Sequence, residues 1–271
     1  MNRTIILTAA SAAVILMASC SETVDSMKDE EYVAANASVY DTEPSAEAVA
    51  ATESPTEAYT EPLEKPYGYE LTESCRLDVE TILQNPELPT GCEVTALATV
   101  LNYYGFNIDK VELCDNFLTI DPYAEYTFNE AYVGNPKSPD GFGCYAPVIA
   151  ETAEKYFESI DAEWRALNIS ETDFQDLFYQ IEKGRPVIVW ASMGLMDVQM
   201  KLQWTTADGD EAWFAELEHC MVLTGYDFDS GMVYAADPLK GSMEYSLERF
   251  EDVYNQMGKQ AVILYEQEQL T

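Results

Sequence analysis

The 271-residue sequence contains a single histidine, His219, and only 14 lysines and arginines against 49 aspartates and glutamates, for a formal net charge of −35. So few basic residues exclude nucleic acid as a partner, because affinity for phosphate backbones rests on Lys and Arg. One histidine means that any imidazole chemistry must run through His219. Six cysteines are too few for a disulfide-stapled miniprotein, and none forms a C-x-x-C pair. With one histidine, that spacing predicts no metal site, and nothing in the chain calls for a cofactor. A G-x-x-x-x-G-K-[ST] phosphate loop is missing as well. What is present is apolar material: 47% hydrophobic and 12% aromatic residues, enough for a sizeable core and too much for disorder from end to end.

The chain divides into three parts. Residues 1–20 read as an export signal, with Arg3 followed by an apolar stretch from Ile5 to Met17 and then Ala18-Ser19-Cys20. The stretch is shorter than the roughly 20 apolar residues that span a bilayer. Small residues before a cysteine resemble a bacterial lipobox, with Met17 in place of the usual leucine, so Cys20 is the expected lipidation site and membrane anchor. An ordinary signal peptide cleaved nearby is the alternative. Residues 21–72 hold 13 acidic residues against Lys28 and Lys65, in Ala/Ser/Thr/Glu/Pro-rich sequence without helical or strand period. That composition predicts a disordered, self-repelling tether. Residues 73–271 carry the globular domain, expected to be extracytoplasmic and monomeric.

Within the domain, Val94, Leu97, Ala98, Leu101 and Tyr104 recur at helical spacing, predicting a helix that starts at Gly91-Cys92 and ends at Gly105. Further helices are predicted over Lys110–Phe117 and Val148–Phe157, after a long Tyr/Gly/Pro-rich loop (Asp121–Pro147) that reads as an ordered cleft wall. Ser170 and Asp173 form a capping-box-like start for another helix, ended by Gly184. From Pro186 the pattern turns to strands: 186–192, 200–206, His219–Tyr226, Met232–Ala236 and Ala261–Tyr265, with a helix at Leu247–Met257 before the last. Helices first and a largely antiparallel sheet second is α+β, with the helix that begins at Cys92 packed on a C-terminal sheet.

The chemistry concentrates at four residues. Cys92 lies in a helical first turn, where unpaired N–H groups and the dipole favour a thiolate. His219 opens an apolar strand, and the hairpin after it brings Asp237 beside the imidazole, whereas Asp227 and Asp229 sit at the far tip. Nucleophile, base and orienting carboxylate are the requirements of acyl transfer. Gln84, eight residues before Cys92, offers an amide donor to an oxyanion, as does the Cys92 backbone N–H.

In this order the segments QNPELPTGCEVTALATVLNYYG, GFGCYAPVI, HCMVLTGYD and VYAADPLKG resemble the C39-like cysteine peptidases of the papain-like superfamily, over about residues 76–266. The resemblance implies a papain-like fold, Cys92 as nucleophile, His219 as general base and acid, Asp237 as its orienter, Gln84 as oxyanion donor, and a peptide or protein substrate. Members that trim double-glycine leader peptides are fused to ABC exporters, and this sequence has no ATP-binding loop, so that substrate does not carry over. Gln84 is also slightly farther from the cysteine than in those exporter domains.

Cys75, Cys114, Cys144 and Cys220 read as buried thiols, with Cys220 facing away from His219. Glu216 and Glu218 read as a solvated strand edge. Of Trp190, Trp204 and Trp213, the last two are the better candidates for a substrate groove. Two other functions fit the same residues: a non-catalytic surface binding module, and cell-wall amidase or transpeptidase chemistry.

Overall fold

A computed structural model of the protein describes residues 65–267. Cys20, the apolar segment before it and the tether up to residue 64 lie outside the described residues. The helices are α1 (Cys92–Tyr103), α2 (Lys110–Phe117), α3 (Ala146–Ser159), α4 (Leu177–Glu182) and α5 (Leu247–Gln256). The strands are β1 (Ser74–Arg76), β2 (Ile120–Asp121), β3 (Tyr132–Val133), β4 (Trp164–Asn168), β5 (Val187–Ser192), β6 (Met200–Thr205), β7 (Glu211–Ala215), β8 (Glu218–Asp227), β9 (Met232–Asp237), β10 (Gly241–Ser246) and β11 (Ala261–Glu266).

Seven strands form one antiparallel sheet in the order β10-β9-β8-β5-β11-β4, with β1 added to β8. Helices precede most of this sheet in the chain, and α1 packs on β8, β5 and β9, with α2 and α3 on its other sides. That sandwiching explains why every α1 residue from Cys92 to Leu101 is buried and why its sequence is apolar nearly all round. Strands β5 and β8 are likewise buried along almost their whole length, so they read as continuous apolar runs instead of alternating ones.

Local chemistry sets the element ends. The Asp109 carboxylate accepts from the Val111 and Glu112 N–H groups and caps α2. Pro147 sits in the first turn of α3, where its missing N–H costs nothing, so this helix begins at Ala146, two residues before the apolar period starts. The capping box expected at Ser170 and Asp173 does not form. Ser170 Oγ bonds the Asn168 side chain, Asp173 pairs with Lys259 at 2.7 Å, and Glu171 has φ +71°. Helical turns therefore start only at Phe174. Residues 65–72, assigned by composition to the tether, engage the domain: Lys65 pairs with Asp176 at 2.5 Å, and the Thr72 N–H donates to Glu182 Oε1 at 2.7 Å.

The hairpin of β8 and β9 fixes the site. Asp227 pairs with Met232 and Val222 with Ala236, with a register shift between Leu223 and Gly225. At that shift β8 is flanked by β1 and β9 together. A Cβ on Gly225 would stand 2.7 Å from the Cys75 carbonyl oxygen and 2.9 Å from Arg76 Cα, so only glycine allows β1 to dock. Gly225→Ala is expected to lower stability by about 1–3 kcal/mol, read as a drop in the urea midpoint. An unchanged midpoint would mean that β1 moves aside without cost.

Candidate active site

Cys92 opens α1 as expected, after Gly91, which supplies no side-chain cap. Its environment differs from the expectation. The thiol is buried and donates to Glu93 Oε2 at 3.3 Å, with Glu218 Oε2 3.9 Å away. Burial pushes the thiol well above its ordinary pKa, and the Glu218 and Glu93 carboxyls push in the same direction. The Cys220 backbone N–H opposes them. A helix N-terminus lowers a thiol pKa where the sulfur meets solvent or cations. Here desolvation and two acids outweigh it, and the resting residue is a neutral thiol.

Those two acids were not legible as a site. Glu218, read as a solvated strand edge, is buried, while Glu216 is exposed and paired with Lys201. Glu93 is wholly buried, and its Oε1 accepts the Cys144 N–H at 2.7 Å. Burial raises Glu93 to about 7 and lifts Glu218 well above the usual carboxyl range, with the charge of Glu93 adding to the latter. Two neighbouring carboxyls in a dry site cannot both ionise cheaply, so the pair retains a proton at neutral pH. Gly143 makes the close approach possible: a Cβ there would lie 2.6 Å from Glu93 Oε1 and 3.2 Å from Glu218 Oε2.

His219 and Asp237 come together as predicted. Extending the Val222–Ala236 register sets Asp237 opposite Met221, diagonal to His219 on the same face. His219 Nε2 and Asp237 Oδ1 are 2.7 Å apart, with both side chains buried. Asp237 Oδ1 also accepts the Leu239 N–H at 2.8 Å, and its Oδ2 accepts the Tyr245 hydroxyl at 2.7 Å. Burial by itself would raise the Asp237 pKa, but the hydrogen bond and charge of His219, with Tyr245 and Leu239, bring it down to about 2. Nε2 is thus committed to Asp237, and Nδ1 is buried with no hydrogen-bond partner among the described residues. Cys92, by contrast, spends its hydrogen bonds on the acids and not on His219.

Gln84 is buried beside this hairpin. Its backbone N–H donates to the Pro238 carbonyl at 2.8 Å, and its side-chain Nε2 donates to the Pro89 carbonyl at 2.8 Å. The Lys110 ammonium, from the first turn of α2, donates to the Leu83 and Gln84 carbonyls and pairs with Glu87 at 2.8 Å. Sequence reasoning passed over Lys110 because a lysine at a helix start looks solvated. It missed Tyr245 because the polar strand β10 left no recognisable pattern.

The loop between α2 and α3 forms a wall, as expected. Phe128, Phe142 and Tyr145 from that loop meet Phe214 and Trp204 of the β6–β7 hairpin at ring separations of 4.4–6.0 Å. Phe214 meets the two buried acids at Gly143, where its Cζ would stand 2.9 Å from an added Cβ. Of the groove candidates, Trp204 joins this wall, whereas Trp190 is core and donates to the Cys144 carbonyl. Trp213 alternates away from Phe214 along β7 and bonds Glu211. The five described cysteines are free thiols.

The depressed Asp237 pKa makes stability pH-dependent with a defined sign. The folded value of about 2 lies under the ordinary aspartate value of 3.8, so the interaction stabilises the fold above about pH 4 and fades as pH falls through 2. Asp237→Asn is therefore expected to unfold at lower urea than wild type at pH 5, by about 2 kcal/mol. The gap narrows steadily towards pH 2, and a gap independent of pH would contradict the assignment.

Comparison with known proteins agrees with this architecture. The model of the Peptidase C39 like family matches residues 76–262. Uncharacterized protein YvpB of Bacillus subtilis (strain 168) is 32% identical over 203 residues, covering 69% of this chain and 75% of YvpB. A crystal structure from Bacillus anthracis, described as a candidate C39-like peptidase, superposes with a TM-score of 0.63 at 30% identity, covering 72% of this chain and 98% of that one. The α+β architecture is the papain-like fold of C39 peptidases, and the chain belongs to the Peptidase C39 like family.

Proposed function

We propose that this protein is a cysteine hydrolase that cleaves a peptide or amide bond through Cys92, His219 and Asp237, with Gln84 as oxyanion donor. The observation that carries the reading is the His219–Asp237 bond: it uses Nε2, fixes the ring, and leaves Nδ1 as the one imidazole nitrogen free to take a proton. For reaction, the Cys92 sulfur leaves Glu93 and gives its proton to Nδ1. The thiolate attacks the substrate carbonyl carbon, and the resulting oxyanion takes hydrogen bonds from the Cys92 N–H and the remaining Gln84 Nε2 proton. Collapse expels the amine, which takes the proton back from Nδ1. Water, activated by the same nitrogen, then cleaves the thioester and regenerates the thiol.

The apolar N-terminal segment ending at Cys20 supports export and lipid anchoring of the enzyme at the outer face of the cell membrane. The acidic sequence that follows supports a tether that holds the domain off the anionic surface. Peptidoglycan cross-link chemistry uses the same catalytic groups and is the second reading.

A small thiol-alkylating probe applied to the native protein is expected to label Cys92, located by peptide mass spectrometry, and His219→Ala is expected to lower hydrolysis by at least about 1,000-fold. Equal labelling of wild type and Cys92→Ala would sink the nucleophile assignment. Incubation with unstructured peptides and with peptidoglycan fragments, read by mass, separates peptidase from cell-wall chemistry.

A further inference from the structure

We infer that Cys92, Glu93 and Glu218 form a binding site for a thiophilic divalent cation of the zinc class, which would hold the sulfur away from His219. One donor atom from each residue lies within 4.8 Å of the other two. The sulfur-to-oxygen edges of this triangle are 3.3 and 3.9 Å. A tetrahedral ion with metal–sulfur distances of about 2.3 Å and metal–oxygen distances of about 2.0 Å has edges near 3.5 Å, so shifts of a few tenths of an ångström seat it. One thiolate with two carboxylates suits zinc or cobalt and not calcium or magnesium, which take oxygen alone.

Independent features point to a ligand. Glu218 is only 5% exposed, yet its Oε1 has no hydrogen-bond partner among the described residues. Neither Glu93 nor Glu218 has a lysine or arginine ion-pair partner among the described residues, so a cation supplies the charge that the protein withholds. The Cys144 N–H fixes Glu93 Oε1 at 2.7 Å and turns Oε2 towards the sulfur. Three protein donors leave the fourth vertex to water. Binding requires the thiol to lose its proton to solvent, so affinity falls with pH. The sulfur lone pair then engaged with the metal is unavailable to a substrate carbonyl, and the ion acts as a reversible inhibitor. That consequence rests on Cys92 being the nucleophile, whereas the binding itself does not. The sequence spacing concealed this set because Cys92 and Glu218 are 126 residues apart.

The test uses the full-length protein freed of metal with EDTA and titrated with cobalt(II), then zinc(II). Expected are one cobalt per chain with sulfur-to-cobalt charge-transfer absorption, its displacement by zinc, and loss of thiol-probe labelling at Cys92 that EDTA restores. Glu218→Gln, or Glu93→Gln if the first variant does not fold, weakens binding at least about 10-fold, while His219→Ala leaves it unchanged. Absence of the charge-transfer band, wild-type affinity in the folded glutamine variants, or loss of binding in His219→Ala overturns the site. A protein that labels at Cys92 and hydrolyses peptides but takes no cobalt loses the metal site alone. One that takes cobalt and cleaves nothing loses the hydrolase reading alone.

Discussion

The hydrogen bond between His219 and Asp237 spans the point where β8 and β9 stop pairing. Backbone register runs from Asp227–Met232 to Val222–Ala236, and beyond it the two strands are joined by side chains. A bond to a charged group is worth roughly 1.5–3 kcal/mol. It holds here because the Leu239 N–H and the Tyr245 hydroxyl satisfy the rest of a carboxylate that is wholly buried. Were Asp237 left with His219 alone, its desolvation would outweigh the contact. These donors hold Asp237 past the end of the ladder, and the start of α1 reaches the same end of β8, where Cys92 Sγ lies 3.9 Å from Glu218 Oε2.

The pleat of β8 then separates two chemistries on adjacent residues. His219 faces the side of Met221 and Asp237, while Glu218 and Cys220 face the other. The sulfur of Cys92 associates with the second set, so the resting thiol is flanked by acids that keep it protonated. A thiol stored this way resists oxidation, which proceeds through the thiolate. The proposed hydrolysis therefore requires the sulfur to exchange these acids for His219.

Much of this was legible in the sequence and some was not, for physical reasons. The α1 pattern, the position of Cys92 and the Cys92–His219–Asp237 order follow from periodicity and from hairpin arithmetic, which are local. The pairing of Asp237 with His219 came within two residues of the observed register, which sets Asp237 opposite Met221, because a short turn allows little slack. Strands β1, β4 and β10 escaped notice because exposed and half-buried positions alternate on polar sequence. Glu93 escaped notice, and Glu218 reads in sequence as a solvated strand edge, for a different reason. An acid in a helical first turn and an acid at a strand start are both ordinary surface choices, and only the long-range packing of α1 on β8 buries them together.

Gln84 adds a mechanical consequence. Its backbone N–H is bonded to Pro238, the residue after Asp237, while the Lys110 ammonium grips the Leu83 and Gln84 carbonyls from α2. The amide that would steady a developing negative charge and the carboxylate that steadies the imidazole therefore ride on one unit. Because one backbone hydrogen bond ties the two, a displacement of the turn after β9 is passed to Gln84 and, through Lys110, to α2.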